Sequence, residues 1–105
     1  MDNRQYEVLI YNGNGVVGMA GETAELLERY GLNIAGLRNA DHYNYEVTQI
    51  EYYDSEVEEI ADGIRDLLGG ELNYLGEEER DNNEQRKDLR IILGHDMVSE
   101  NDESI

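Results

Sequence analysis

The sequence predicts an α/β two-layer sandwich, with a mixed sheet of four to five strands and two helices. Three observations carry this. The apolar run Val8–Tyr11 stops at the glycine-rich stretch Asn12–Gly18, and an amphipathic pattern starts directly after it. Val57, Ile60, Ala61, Ile64, Leu67 and Leu68 recur at helical spacing between two strand-like segments. Leu89, Ile91, Ile92 and Leu93 make a short run apolar on both faces, as a strand in the middle of a sheet would be. At 105 residues the chain makes one domain.

Taken in order, residues 5–12 read as the first strand, with Tyr6, Val8 and Ile10 on one face and Glu7, Leu9 and Tyr11 on the other. A helix is expected from about Val17 to Tyr30, with Ala20, Ala24 and Leu27 as its stripe. Gly31 stands where a left-handed cap belongs, and Leu32 can fold back onto the last turn. A second strand is expected over Asn33–Arg38, a polar loop over Asn39–Tyr45, and a third strand over Glu46–Tyr53, rich in β-branched and aromatic residues. Ser55 with Glu58 reads as a capping box for the second helix, which Gly69-Gly70 ends. Glu71–Leu75 is a candidate edge strand, Glu77–Lys87 a mobile polar loop, and Asp88–Leu93 the last strand. The domain is placed at residues 5–97, and 98–105 is expected to be a disordered acidic tail.

Charge narrows the partners. Twenty-five acidic residues against eight basic give −17. Phosphate backbones need clustered Lys and Arg, so nucleic acid is not an expected partner, and neither is an anionic membrane surface. Lys87 is the single lysine. Abundant Asp and Glu with almost no Lys suits adaptation to high salt, where counterions screen self-repulsion; an acidic binding face is the other reading. With no cysteine, disulfides and thiolate chemistry are excluded. No stretch approaches the roughly 18–20 apolar residues that span a bilayer. Asp2-Asn3-Arg4-Gln5 leads straight into a strand pattern rather than a signal peptide, which fits a cytoplasmic chain or a piece of a longer one.

The loop Gly13–Gly18 reads G-x-G-x-x-G. Such a loop can cradle a phosphate against a helix N-terminus, so a small nucleotide- or anion-binding protein is the alternative function. The structural explanation is preferred: Gly13 and Gly15 take backbone conformations closed to other residues, and Gly18 lets the helix lie close to the sheet. The chain is too short for two nucleotide-binding halves. The acid expected about 20 residues on has one weak candidate, Asp41, in a polar loop.

The segments Val8–Ala20, Leu26-Leu27, Tyr30–Leu32, Arg38–Asp41, Thr48–Tyr53 and Ile91–Met97, in this order and spacing, resemble the LytR C-terminal domain family. Two departures are visible. The family often has proline in the glycine loop and after the paired tyrosines, where this chain has Val17 and Asp54-Ser55; both affect turn stiffness. The resemblance implies a bacterial, extracytoplasmic module of a membrane-anchored parent. Such domains follow the catalytic domain that attaches glycopolymers to peptidoglycan in LytR-CpsA-Psr proteins, and carry no established catalytic residues.

Other chemistry is thin. His42 and His95 lack a zinc-ligand spacing, and adjacent His95 and Asp96 are expected to point to opposite faces. The acidic run near Glu77–Glu84 does not match the calcium loop. No serine sits in a nucleophile elbow. Eight tyrosines without Phe or Trp suit a carbohydrate or protein surface. The expectation is therefore a non-catalytic, cofactor-free and metal-free binding module of the cell envelope. Its partner is a wall glycopolymer or an envelope protein, with no membrane insertion of this segment. Pairing of an exposed strand edge with a second copy is the structural alternative. The ligand-facing surface is placed on Asn12, Gly13, Asn14, Gly15 and Gly18, with Asn39, Tyr43 and Tyr45 of the neighbouring loop.

Overall fold

A computed structural model describes residues 6–76 and 88–97. The expected mobile loop Glu77–Lys87 and acidic tail 98–105 lie outside the described residues. The elements are β1 (Glu7–Asn12), α1 (Met19–Arg29), β2 (Asn33–Asn39), β3 (Gln49–Tyr52), α2 (Glu58–Leu68), β4 (Glu71–Tyr74) and β5 (Leu89–Leu93). They form one five-stranded mixed sheet in the order β2-β1-β5-β3-β4. β1 runs parallel to β2 and β5, β3 is antiparallel to β5, and β4 is parallel to β3. The expected fold class is the observed one, and Glu71–Tyr74 is indeed an edge strand.

Register explains the core. Val8, Leu89 and Tyr52 lie in one row across β1, β5 and β3, and Ile10, Ile91 and Ile50 in the next row on the same face. These six join Ala24 and Leu27 of α1 and Ala61 and Ile64 of α2 in one buried cluster. Both helices therefore cover the same face, which makes two layers. The opposite face carries Leu9, Tyr11, Arg90, Ile92, Gln49 and Glu51 in alternation. There the Arg90 guanidinium pairs with Glu51 at 2.5 Å and lies over the Tyr11 ring. Burial works against the charge on Arg90; the bond to Glu51 and its negative charge outweigh that and hold it protonated.

The helix ends obey local chemistry. Gly31 takes a positive φ, its N–H reaches Glu28 O, and the Leu32 N–H reaches Leu27 O, which closes α1 as expected. The capping box does not form. Asp54, extended at φ −127°, accepts the Glu56 N–H at 2.9 Å and caps a 3-10 turn, Ser55–Val57, that leads into α2. A carboxylate one residue earlier takes the capping role from the Ser55 hydroxyl. Glu58 instead accepts the Tyr52 hydroxyl at 3.0 Å. The third strand starts three residues later than expected, at Gln49. The cause is that the Thr48 N–H is held by Asp96 rather than by a neighbouring strand.

Candidate functional site

β1, β2 and β5 run parallel, so their C-terminal ends meet at one edge of the sheet, and antiparallel β3 begins at that same edge. Three loops collect there: Gly13–Gly18, Ala40–Thr48 and Gly94–Met97. Backbone hydrogen bonds lace them together. The Tyr45 N–H donates to Gly13 O at 3.2 Å, the His95 N–H to Tyr45 O at 2.7 Å, and the Asp96 N–H to Glu46 O at 3.0 Å. Asn39 ends β2 opposite Asn12, and the Ala40 N–H donates to Asn12 O at 2.9 Å. The Asn12–Gly18 loop and the Asn39–Tyr45 loop, adjacent only by expectation in the sequence, are thus in direct contact.

The glycine loop is wired internally. Asn12 Oδ1 accepts the N–H groups of Asn14 at 3.1 Å and Gly15 at 2.8 Å, and Asn12 Nδ2 donates to Val16 O at 3.1 Å. Asn14 is buried; its Nδ2 donates to Gly94 O at 2.8 Å, and its Oδ1 accepts the Val16 N–H at 3.0 Å. The Gly13 N–H goes to Leu93 O at 2.9 Å. The amides of Gly13, Asn14, Gly15 and Val16 are therefore committed to the protein itself. A phosphate cradle needs such groups free, so the geometry does not support the nucleotide alternative.

The glycines divide their work differently from expectation. Gly15 and Gly18 have positive φ, 77° and 84°, where other residues are strained. Gly13 does not; a Cβ there would lie 2.7 Å from Leu93 O and from the Tyr45 ring, so it is glycine for want of space. At Gly18 a Cβ would meet nothing, so that glycine serves the turn rather than close helix–sheet packing.

Of the eight residues placed at the surface by sequence, Gly13 and Asn14 are buried and shape the loop from within. Asn12 and Tyr45 are half-buried, while Gly15, Gly18, Asn39 and Tyr43 are exposed. Tyr43 packs against Gly15. Tyr45 stacks on His42 with ring centroids 4.4 Å apart and planes 8° from parallel. The Tyr45 hydroxyl donates to Asp41 Oδ1 at 3.2 Å. Burial, then the Asp41 charge and this hydrogen bond, push the Tyr45 phenol above its usual pKa.

Sequence reasoning missed the neighbours of these tyrosines. His95 places Nε2 2.8 Å from Tyr43 O, an atom that can only accept, so that nitrogen carries the hydrogen. Asn44, Glu46, His95 and Asp96 line a shallow open cleft beside Tyr43 and Tyr45. The signal available was topological: β5 had to be central, and a central strand parallel to β1 delivers its C-terminal residues beside the glycine loop. His95 and Asp96 begin a 3-10 turn and take separate partners, Tyr43 and Thr48. Among the described residues, no group of three or more His, Cys, Asp or Glu has a metal-binding arrangement. No helix among them is long and apolar enough to cross a membrane.

No curated protein matches the chain. Among solved structures, the solution structure of the C-terminal domain of RV0431 is similar, with 23% identity and a TM-score of 0.59. The match covers 90% of this chain and 75% of that one, and it supports the fold. A family model described as LytR cell envelope-related transcriptional attenuator matches residues 5–96. The parallel β1-α1-β2 unit, the interlaced loops at its end and this match over nearly the whole chain agree: the protein belongs to the LytR C-terminal domain family.

Proposed function

We propose that this chain is a non-catalytic accessory module of a cell-envelope protein, extracytoplasmic in a membrane-anchored parent, and that it binds a wall polymer at the loop end of its sheet. The observation that carries this is the cleft of Asn44, Glu46, His95 and Asp96, flanked by exposed Tyr43 and by the stacked pair His42–Tyr45. Flat rings with polar rims pack on the C–H faces of sugars, and amide, imidazole and carboxylate groups beside them match vicinal hydroxyls. The openness of the cleft suits a chain passing over the surface rather than a small molecule enclosed by it. Asn39, Tyr43, Tyr45 and His95 are the proposed contacts. Gly15 and Gly18 border them, and Asn12, Gly13 and Asn14 hold the platform rigid from below.

The family's association with the cell envelope supports the setting. The acidity of the chain, −17 overall, favours polymers without dense phosphate. Titration of the isotopically labelled protein with muropeptides and with purified wall glycopolymers, followed by amide chemical shifts, tests the reading. Shifts clustered on Asn39–Tyr45 and Gly94–Asp96 are expected. Absence of shifts there at millimolar ligand would contradict a glycan role and leave an envelope protein as the partner.

A further inference from the structure

Residues 12–15 read Asn-Gly-Asn-Gly. Asn-Gly is the dipeptide most open to spontaneous deamidation, because glycine has no side chain to hinder attack by its own nitrogen. In that reaction the Gly15 nitrogen loses its proton and bonds to Asn14 Cγ. The Cγ–Nδ2 bond breaks and Nδ2 leaves as ammonia. The succinimide then takes up one water and opens to aspartate or isoaspartate, with no change of oxidation state.

The fold holds both the attacking nitrogen and the polar atoms of the carboxamide that it would attack. The attacking Gly15 nitrogen donates its hydrogen to Asn12 Oδ1 at 2.8 Å. The Asn14 carboxamide is fixed at both ends, by Gly94 O and Met19 Sδ on Nδ2 and by the Val16 N–H on Oδ1. At the first Asn-Gly step, the Gly13 N–H is held by Leu93 O at 2.9 Å, and the Asn12 carboxamide is itself held by three bonds. An N–H in a well-made hydrogen bond is harder to deprotonate, and a pinned carboxamide cannot swing toward it.

We propose that Asn14 is a gated deamidation site, with Asn12 as its gate. The site stays shut while the Asn12 carboxamide holds the Gly15 nitrogen, and reacts irreversibly once the loop opens. The product places a carboxylate against Gly94 O, where an amide donor had been, or lengthens the backbone of the turn as isoaspartate. Gly94 leads directly into His95, so the conversion loosens the loop end of the sheet, and its extent reports the accumulated time that the loop spends open. This holds whatever the domain binds.

The test is peptide mapping by mass spectrometry after incubation at mildly alkaline pH. It compares the folded protein, the same protein in denaturant, and the Asn12→Ala and Asn12→Asp variants. Asn14 in the folded protein is expected to convert at least about tenfold more slowly than in denaturant, because reaction requires local opening. Asn12→Ala should convert several-fold faster than wild type but still more slowly than in denaturant, because Gly94 O, Met19 Sδ and the Val16 N–H still hold the Asn14 carboxamide while the sheet stays folded by circular dichroism. Asn12→Asp keeps the acceptor and should stay slow. Equal rates in folded and denatured protein, or a folded Asn12→Ala as slow as wild type, would overturn the proposal. Hydrogen exchange at the Gly15 N–H of the wild-type protein gives a second readout that needs no variant. Protection is expected there, and fast exchange would also overturn it.

Discussion

One carboxylate oxygen of Asp96 accepts both the backbone N–H of Thr48, at 2.9 Å, and its hydroxyl, at 2.7 Å. The Thr48 hydroxyl in turn accepts the Gly94 N–H at 3.0 Å, and Thr48 is fully buried. This relay ties the start of β3 to the end of β5 and fixes Asp96, one of the residues that line the cleft. Asp96→Ala leaves two buried donors unpaired and is expected to cost about 1–3 kcal/mol in chemical denaturation. Asp96→Asn keeps an acceptor oxygen and should cost clearly less. Equal losses would mean that the carboxylate acts through charge alone.

The glycine loop gives a paired prediction. Gly13→Ala forces a Cβ against Leu93 O and the Tyr45 ring, so about 1–3 kcal/mol is expected, with Tyr45 displaced. Gly18→Ala meets no atom but sits at φ 84°, so it should cost about 1–2 kcal/mol and leave the cleft intact. The assigned NMR ring resonances of Tyr45 separate the two: a shift is expected for Gly13→Ala and none for Gly18→Ala.

Much of this architecture was legible from periodicity. Leu89–Leu93, apolar on both faces, had to be central, and it lies between β1 and β3. Val8 and Ile10 were expected to share one face of β1, which is the face that the helices cover, and Gly31 with Leu32 announced the end of α1. What failed was local competition between side chains. Nothing in the pattern around Glu46–Thr48 shows that Asp96, far along the chain, claims the Thr48 N–H and delays β3. Asp54 and Ser55 are both good caps, and only the backbone conformation decides between them. At the site, Tyr43 and Tyr45 could be singled out, whereas His95 reaches them through a strand order that the sequence leaves open. The G-x-G-x-x-G spacing was visible, but not that its amides are consumed by Asn12 and Asn14.

Tyr52, like Tyr45, adds a pH dependence. Burial, then its hydrogen bond to Glu58, raises the phenol above the ordinary value of 10.0. A group with a raised folded pKa adds stability that is fully present below the unfolded value and is lost as pH climbs through the folded one. Stability should therefore decline above about pH 10, and Tyr52→Phe should flatten that decline in melts taken across the alkaline range. At neutral pH, losing this partly exposed hydrogen bond should cost about 0.5–1.5 kcal/mol. An unchanged alkaline slope in the variant would assign the loss to other tyrosines.

With −17 on 105 residues, self-repulsion is a standing term against the fold. Raising salt from low to molar concentration should lift the melting temperature by several degrees, most steeply while the screening length is still falling below the protein's radius. A flat response would remove salt adaptation as the reason for the acidity and leave a binding face.

The most direct test of the central claim is co-sedimentation of the folded protein with purified, insoluble cell-wall polymer, comparing wild type with Tyr43→Ala and His95→Ala. Tyr43 is 46% exposed, so its truncation should spare the fold while removing the aromatic platform. Retention of wild type with at least about a tenfold loss for Tyr43→Ala, the equivalent of ~1.4 kcal/mol, is the predicted result. Undiminished sedimentation of Tyr43→Ala and His95→Ala, or no sedimentation of wild type, would contradict a polymer-binding surface at the loop end of this sheet.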